Sequence, residues 1–522
     1  MRKFILCVFS FCSMAVIIQA QTLNVEWQKC LGESGKEERP LGLTRTDQSV
    51  TVMFGTTSTT GDFSGNKGET DWYYTKFDSK QVKKYGKIYG GSKIETLSWI
   101  NENSDQTFTV TGITNSNDGN VNNNHGGNDA WAIKLTENGN IQWRKCIGGT
   151  GDDQGYFSAE TADKNYLFLG STTSKDGDFT TNNGGSDIFM IKTDINGIFQ
   201  FTKLYGGSGN EKPVGTVKLT DGYIILAESN SPSISGAANA NKGKTDFLLI
   251  KTDLNGNASW AKFFGGPDDD NPAHITLLSD GNLLVTGTTS STSGDISGAH
   301  GGKDIWVAKI SSAGTLLWAK NLGGSGNDSG KMAVEYSYTN PVKYFIIGST
   351  ASANGGNING AKGGSDIWVA RLSSTGNFEN GKNFGGSKDD FAGSISVMTD
   401  NSLYITGESN STDGDVVGNK GGQDVWIAKL AKPTATFDIP QSFDLKVFPN
   451  PAATSIHVKW DDQTPVELLD ITSITGVSMM QIPVDKSSGF TTIDLGNIPN
   501  GHYVLTAIAK DKISRSMIEI VR

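Results

Sequence analysis

Seven copies of one β-rich unit, a lone β run ahead of the first copy and a differently patterned tail predict an all-β chain. The expected architecture is a seven-bladed β-propeller over residues 25–430, closed by an N-terminal strand, followed by a small C-terminal β-sandwich over residues 443–522. The period is set by an aspartate at Asp71, Asp129, Asp187, Asp246, Asp304, Asp366 and Asp424, at intervals of 58, 58, 59, 58, 62 and 58 residues. A glycine pair stays in phase with it, beginning at Gly32, Gly90, Gly148, Gly206, Gly265, Gly323 and Gly385, and only the first copy replaces the second glycine, by Glu33. The ends of the array choose between a ring and an open stack. The last copy stops at Leu430 without the aromatic run of the other copies, and the chain begins with such a run, from Val25 to Leu31. In a ring the first fragment completes the last sheet, whereas an open stack caps its ends independently.

Taken in order, the elements begin with Arg2 and Lys3 ahead of an apolar stretch from Phe4 to Ile18, with Ala20 placed for cleavage before Gln21. That layout is a secretory signal peptide over residues 1–20. Cys7 and Cys12 follow the bulky Leu6 and Phe11, where lipoprotein processing requires a small residue. No later run approaches the ~18 apolar residues of a membrane span, so the mature chain is expected to have no transmembrane segment. Each unit then holds four short runs rich in Val, Ile, Thr and aromatics, such as FTVTG at 108–112 and DIWVAKI at 304–310, which read as a four-stranded antiparallel sheet. Asp221-Gly222 and Asp280-Gly281 read as two-residue hairpin turns. Cys30 and Cys146 occupy equivalent places on the outer strands of different blades, too far apart for a disulfide, so two free thiols are expected. Residues 431–442, with two prolines, read as a linker, and the segments LKVF, SIHVKW, VELLDI, TTIDL and HYVLTAIA beyond it as the sandwich.

Composition bounds the function. The chain has 522 residues, 65 glycines and a net charge of −10, with no concentrated basic patch, so nucleic acid is excluded as a partner.

Chemistry has to be sought in the loops and on the inner strands. Asp62, Asp178, Asp295 and Asp415 recur nine residues before the repeated aspartate, in polar, glycine-containing loops. Oxygen-rich loops suit calcium, which takes six to eight oxygen ligands; the competing reading is that these carboxylates hold loop backbone N–H groups. Asn120, Ala237 and Asn357 take the same place in the other copies. The seven repeated aspartates themselves are expected to cap loop ends, because a residue needed in every blade serves what every blade shares. His125 and His300, each four residues before a repeated aspartate, read as solvated loop positions. Asp194 and Asp253 begin D-x-N-G hairpin turns. On the innermost strands the copies differ, at Arg39, Arg45, Glu102, Glu160, Lys218, His274 and Glu335, with Trp99 and Tyr156 as bulky exceptions. Of these, Glu102, Glu160, His274, Glu335 and Arg45 are the catalytic candidates should the chain be an enzyme.

The tail LKVFPNPAATSIHV, VELLDITSITGV and IDLGNIPNGHYVLTAI resembles the C-terminal sorting domain of proteins exported by the type IX (Por) secretion system of Bacteroidota. The resemblance implies passage through the periplasm and across the outer membrane, interaction of residues 443–522 with that machinery, and release or display at the cell surface. The repeats are similar to the SBBP-type β-propeller repeat, with its glycine pair, acidic crossover, YVTG-like strand and DAFVAKL-like strand; GGTGDDQGYFSAETADKNYLFLGSTTSKDGDF at 148–179 is the nearest copy. That family carries a fold and a secreted setting, and no catalytic residues to transfer. Together these readings predict a secreted or surface-displayed binding module for an extracellular glycan or protein. The alternative is a propeller glycoside hydrolase or lyase with its site at the central channel.

Overall fold

The computed structural model describes residues 23–433 apart from Thr46 and Asn359, and residues 443–522 apart from 462–463, 465, 474–477, 485–488 and 510–512. The expected signal peptide, with Cys7 and Cys12, and most of the expected linker lie outside the described residues. Two compact units result, one ending at Pro433 and one formed by the C-terminal residues.

In the first unit the described strands form seven four-stranded antiparallel sheets. Six use consecutive strands; the first runs Glu37–Thr44, Val50–Thr56, Asp71–Phe77 and Lys83–Tyr89. The seventh draws on both ends of the array, joining Val25–Leu31 to Asp424–Leu430, Leu403–Ser409 and Asp390–Val397. Its register runs from Val25 opposite Leu430 to Leu31 opposite Val425. Trp426 Nε1 donates to Gln28 Oε1 at 2.7 Å across that seam, and the Trp27 ring stacks on Tyr404 at 6.5 Å. The arrangement is propeller-like: the first strand of each sheet packs on that of the next, and Glu37–Thr44 packs on Asp390–Val397 and Leu403–Ser409 of the last.

Burial explains the strand patterns. The third strand lies inside its sheet with both faces covered, so Asp71–Phe77 and Asp129–Leu135 are buried at every residue and read as continuous apolar runs. The outer strand keeps one face in water, and Lys83–Tyr89 accordingly alternates between half-buried and exposed positions. The core sits between neighbouring sheets, where Met53, Trp72 and Tyr74 of the first meet Leu97, Val110 and Trp131 of the second. Trp72 and Trp131 approach to 4.3 Å between ring centroids.

Cys30 and Cys146 are buried free thiols on the outer strands Val25–Leu31 and Ile141–Ile147. Burial, then nearby carboxylates, pushes each up to about 12. Both hairpins form: the first closes through Leu219 N–H to Gly222 O at 2.9 Å around Thr220-Asp221, one residue earlier than expected, and the turn at Asp280-Gly281 is wider than two residues. Leu277 pairs with Leu283, and the loop between them closes through Leu278 N–H to Asn282 O at 2.8 Å and Gly281 N–H to Leu278 O at 3.0 Å. The wider loop lets the Asp280 carboxylate accept the Asn282 N–H and reach Lys309 at 2.6 Å, with Gly281 at φ 79°.

In the second unit a three-stranded sheet, Leu445–Phe448, Ser455–Trp460 and Phe490–Asp494, faces a four-stranded one of Ser478–Pro483, Val466–Ser473, Gly501–Ala509 and Ile513–Ile520. Both contribute to one core that includes Ile456, Val458, Leu469, Leu505 and Ile518, which makes the unit a sandwich.

Candidate functional site

The repeated aspartate does the same job in every copy. Its Oδ2 accepts the backbone N–H of the residue four positions earlier, from Lys67 N–H to Asp71 at 2.9 Å through Lys420 N–H to Asp424 at 2.9 Å. The polar loop is thereby pinned at its end, as expected. The other oxygen, Oδ1, is buried without a hydrogen-bond partner in all seven copies.

Facing that oxygen is a second acid, from the first strand of the following sheet: Glu37, Glu95, Asp153, Glu211, Asp270, Asp328 or Asp390, each fully buried. This acid takes donors on at least one oxygen, although Glu37 Oε2, Asp153 Oδ1 and Asp328 Oδ1 are buried without one. Glu95 takes the Gly91 N–H at 2.8 Å and the Thr114 hydroxyl at 2.7 Å, and Asp153 takes the Gly149 N–H and the Ser174 hydroxyl, each at 2.7 Å. The two carboxyl groups meet over the first glycine of the pair. A Cβ on Gly90 would stand 2.0 Å from Asp71 Oδ1 and 2.5 Å from Glu95 Oε2, and the same collision recurs at Gly206, Gly323 and Gly385. Glycine is required there by close approach. Burial, reinforced by Glu95, raises Asp71 to about 7 against the Lys67 N–H, and burial with Asp270 raises Asp246 to about 6. Asp129, Asp187, Asp304, Asp366 and Asp424 move in the same direction, chiefly through burial. The repetition of these second acids was present in the sequence; their pairing with an aspartate of the preceding sheet was not.

The calcium candidates serve backbone and lysine. Asp178, Asp295 and Asp415 accept the N–H of Gly148, Gly265 and Gly385 at 3.0, 3.1 and 3.3 Å. Asn120 and Asn357 accept from Gly90 and Gly323 in the same way, which explains why a neutral amide substitutes for the acid. Asp62 and Asp295 each hold a lysine ammonium at 2.5 Å, Lys83 and Lys242, and Asp415 holds Lys362. Among the described residues no group of three or more His, Cys, Asp or Glu side chains is placed to share an ion. His125 Nδ1 lies 2.7 Å from Asp129, and Asp194 and Asp253 fold their own turns by accepting the N–H groups two and four residues on.

The catalytic candidates fall on different sheets and most are already engaged. Arg45 bridges Glu102 and Glu137, each at 2.7 Å, and Lys76 reaches Glu137 at 2.6 Å. Glu160 accepts the Ser104 N–H and hydroxyl at 3.0 and 2.8 Å, and Glu335 clasps Ser279 likewise at 2.7 and 2.8 Å. These acids tie neighbouring sheets together. His274 is different: burial pushes it down to about 4, its ring lies 6.2 Å from that of Trp99, and Trp99 lies 4.7 Å from Phe157. An apolar cavity of about 250 Å³ is lined there by the first strands of six sheets, through Leu41, Trp99, Val217, His274, Met332 and Ile395.

Residues 446–520 match the family described as the secretion system C-terminal sorting domain. The match supports export by the type IX system, with secretion or outer-surface display, and among the described residues no helix is long and apolar enough to cross a membrane. No curated protein matches the chain. Among solved structures it is similar to the NanB sialidase of Streptococcus pneumoniae, at 10% identity and TM-score 0.38, covering 81% of this chain and 72% of that one. A DUF4221 family member from Bacteroides vulgatus matches at 12% identity and TM-score 0.34, covering 65% and 92%. The extracellular region of plexin A4 matches at 8% identity and TM-score 0.40, covering 94% of this chain, which spans only 61% of that one. At such scores the likeness carries nothing about activity.

Proposed function

We propose that the chain is an exported binding module whose residues 25–430 form a seven-bladed propeller of SBBP-like repeats, closed by Val25–Leu31, and hold an extracellular glycan or protein. The observation that carries this reading is how the acids are used. Glu102, Glu160 and Glu335 each bind a cation or a serine of another sheet, and the repeated aspartates hold loop backbone. Such carboxylates shape a surface; they are not poised as an acid and base across a scissile bond. The glycine pairs and long loops share one face, as seen where Ser116 and Asp118 accept the N–H groups of Lys93 and Ser92, giving an extended polar rim for recognition.

The test is incubation of the chain from Gln21 onward with a panel of glycans and matrix proteins, reading binding by interferometry and turnover by product analysis. Saturable binding with the ligand recovered intact is the expected result. Released products would instead establish the glycosidase or lyase alternative.

A further inference from the structure

Every first strand carries a β-bulge at the same level. Leu97 and Trp99 pair with Gly112 and Thr111, so Ser98 drops out of the ladder; Tyr156, Val214, Ala273 and Lys331 drop out at the same place in their sheets. In the first sheet the irregular segment between Glu38 and Leu41 holds Arg39, a non-glycine residue at φ 55°. A bulge turns its side chain away from the sheet, and strain of this kind persists where it aims a residue. The bulges thus form a ring of positions where the copies differ most.

Cations on these first strands act on one another: Arg39 and Lys331 at irregular positions, and Lys212, which stays paired in the ladder opposite Glu228 two residues before the bulged Val214. Lys331 interacts electrostatically with Arg39 and Lys212, and Lys212 Nζ stands 5.2 Å from the centre of the Tyr156 ring. These residues belong to the first, fourth and sixth sheets, with Tyr156 on the third, so their charges act on one another across the space between the first strands. Lys331 is surrounded by protein yet accessible to water, the condition of a side chain in a narrow wet passage. Among the described residues neither Lys212 nor Lys331 has a carboxylate within ion-pair distance, and the nearest acids are Glu228, opposite Lys212 in the ladder and acting on Tyr156, and Glu408, acting on Lys331. The nearby Glu408 is occupied by the Arg39 N–H at 2.7 Å and by Gln423. One position further along the strands stand Leu41, Trp99, Phe157 and Met332, and the buried Trp99 Nε1 has no acceptor. The lumen therefore offers cationic donors above an apolar floor.

We propose that this passage binds a carboxylate-bearing ligand, an acidic sugar or small organic acid, with the anion held by Arg39, Lys212 and Lys331 and the ligand body against Trp99. Three cations that share one passage, make no ion pair and outnumber its two acids favour an oxyanion that bridges them, and partial desolvation strengthens each contact. The inference rests on the binding-module reading and adds to it the chemistry of the ligand.

Calorimetric titration of the chain from Gln21 onward with glucuronate, acetate and glucose tests it. Glucuronate is expected to bind saturably, about tenfold or more weakly after Lys331→Gln or Lys212→Gln, with Lys331→Arg restoring affinity and glucose silent. Acetate binding at the same residues assigns the site to small organic acids, and glucuronate alone to acidic sugars. No saturable binding of either acid, or binding indifferent to both glutamine variants, overturns the proposal. In that case neutral glycan binding in the panel above would leave the binding-module reading standing.

Discussion

At the scale of the residue, the seven junctions between sheets place a protonatable aspartate beside a fully buried acid, and the consequence is a stability that depends on pH. Asp71 in the folded chain lies near 7 and Asp246 near 6, above the ordinary aspartate value of about 3.9. The folded state therefore binds more protons than the unfolded chain between those limits. Its stabilisation is full below the ordinary value and is lost as pH rises through 6 and 7. Asp163 and Asp400, held down to about 2 by Lys192 and Lys429, work the other way and lose their contribution as pH falls below 4. The melting temperature is expected to be highest at about pH 4–5, to fall progressively through pH 6 and 7 and to be lower at pH 8, a profile that a calorimetric scan series checks. Asp71→Asn separates the causes, because an amide keeps an acceptor for the Lys67 N–H and offers Glu95 a donor that does not titrate. This variant is expected to shrink the loss between pH 5 and 8, whereas Asp71→Ala, which leaves the Lys67 N–H unpaired, costs about 1–3 kcal/mol at either pH. Asp178 gives a parallel contrast. Asp178→Asn changes stability by less than about 0.5 kcal/mol, since Asn120 and Asn357 already do that work, and Asp178→Ala costs about 1 kcal/mol by chemical denaturation.

At the scale of the element, the landmarks that set the repeat are the groups that hold one sheet to the next, which is why the period could be read directly. Gly90 is glycine because Asp71 and Glu95 occupy the space over its Cα, and Gly90→Ala is expected to destabilise by roughly 1–3 kcal/mol, read from the urea midpoint. The four runs per unit, the lone strand at Val25 and the sandwich strands were legible because apolar alternation and turn residues act locally. The acid pairs were not, since Asp71 and Glu95 come from different sheets and only the packing of one sheet on the next brings them together. Tyr156 stood out as an unshared aromatic and Lys331 was not singled out, because a bulge is a relation between two strands, and a single strand's sequence does not state which residue leaves the ladder. Three of the five catalytic candidates, Glu102, Glu160 and Glu335, were chosen as carboxylates on inner strands. Glu160 and Glu335 stand near strand ends, where each accepts the N–H and hydroxyl of a serine of a neighbouring sheet.

At the scale of the whole first unit, the pairing of Val25–Leu31 with Asp424–Leu430 decides how the sheets share their stability. In an open array each repeat answers mainly to its neighbours, so damage at one end frays that end and leaves the rest. In a ring, losing the seam exposes the edge of Asp424–Leu430, frees Trp426 Nε1 from Gln28 and removes Trp27 from between Tyr404 and Phe77, which opens the last sheet toward the first. The contact of Glu37–Thr44 with Asp390–Val397 then no longer has a strand behind it. Deleting residues 23–31 is therefore expected to lower the urea midpoint of the entire unit, with amide protons of distant strands such as Asp187–Thr193 exchanging faster together with those of the seventh sheet. A peptide of residues 23–31 added in trans is expected to restore both. Faster exchange confined to the seventh sheet, with the midpoint of the other six unchanged, would show that the sheets stand as a stack and that the seam carries no closure.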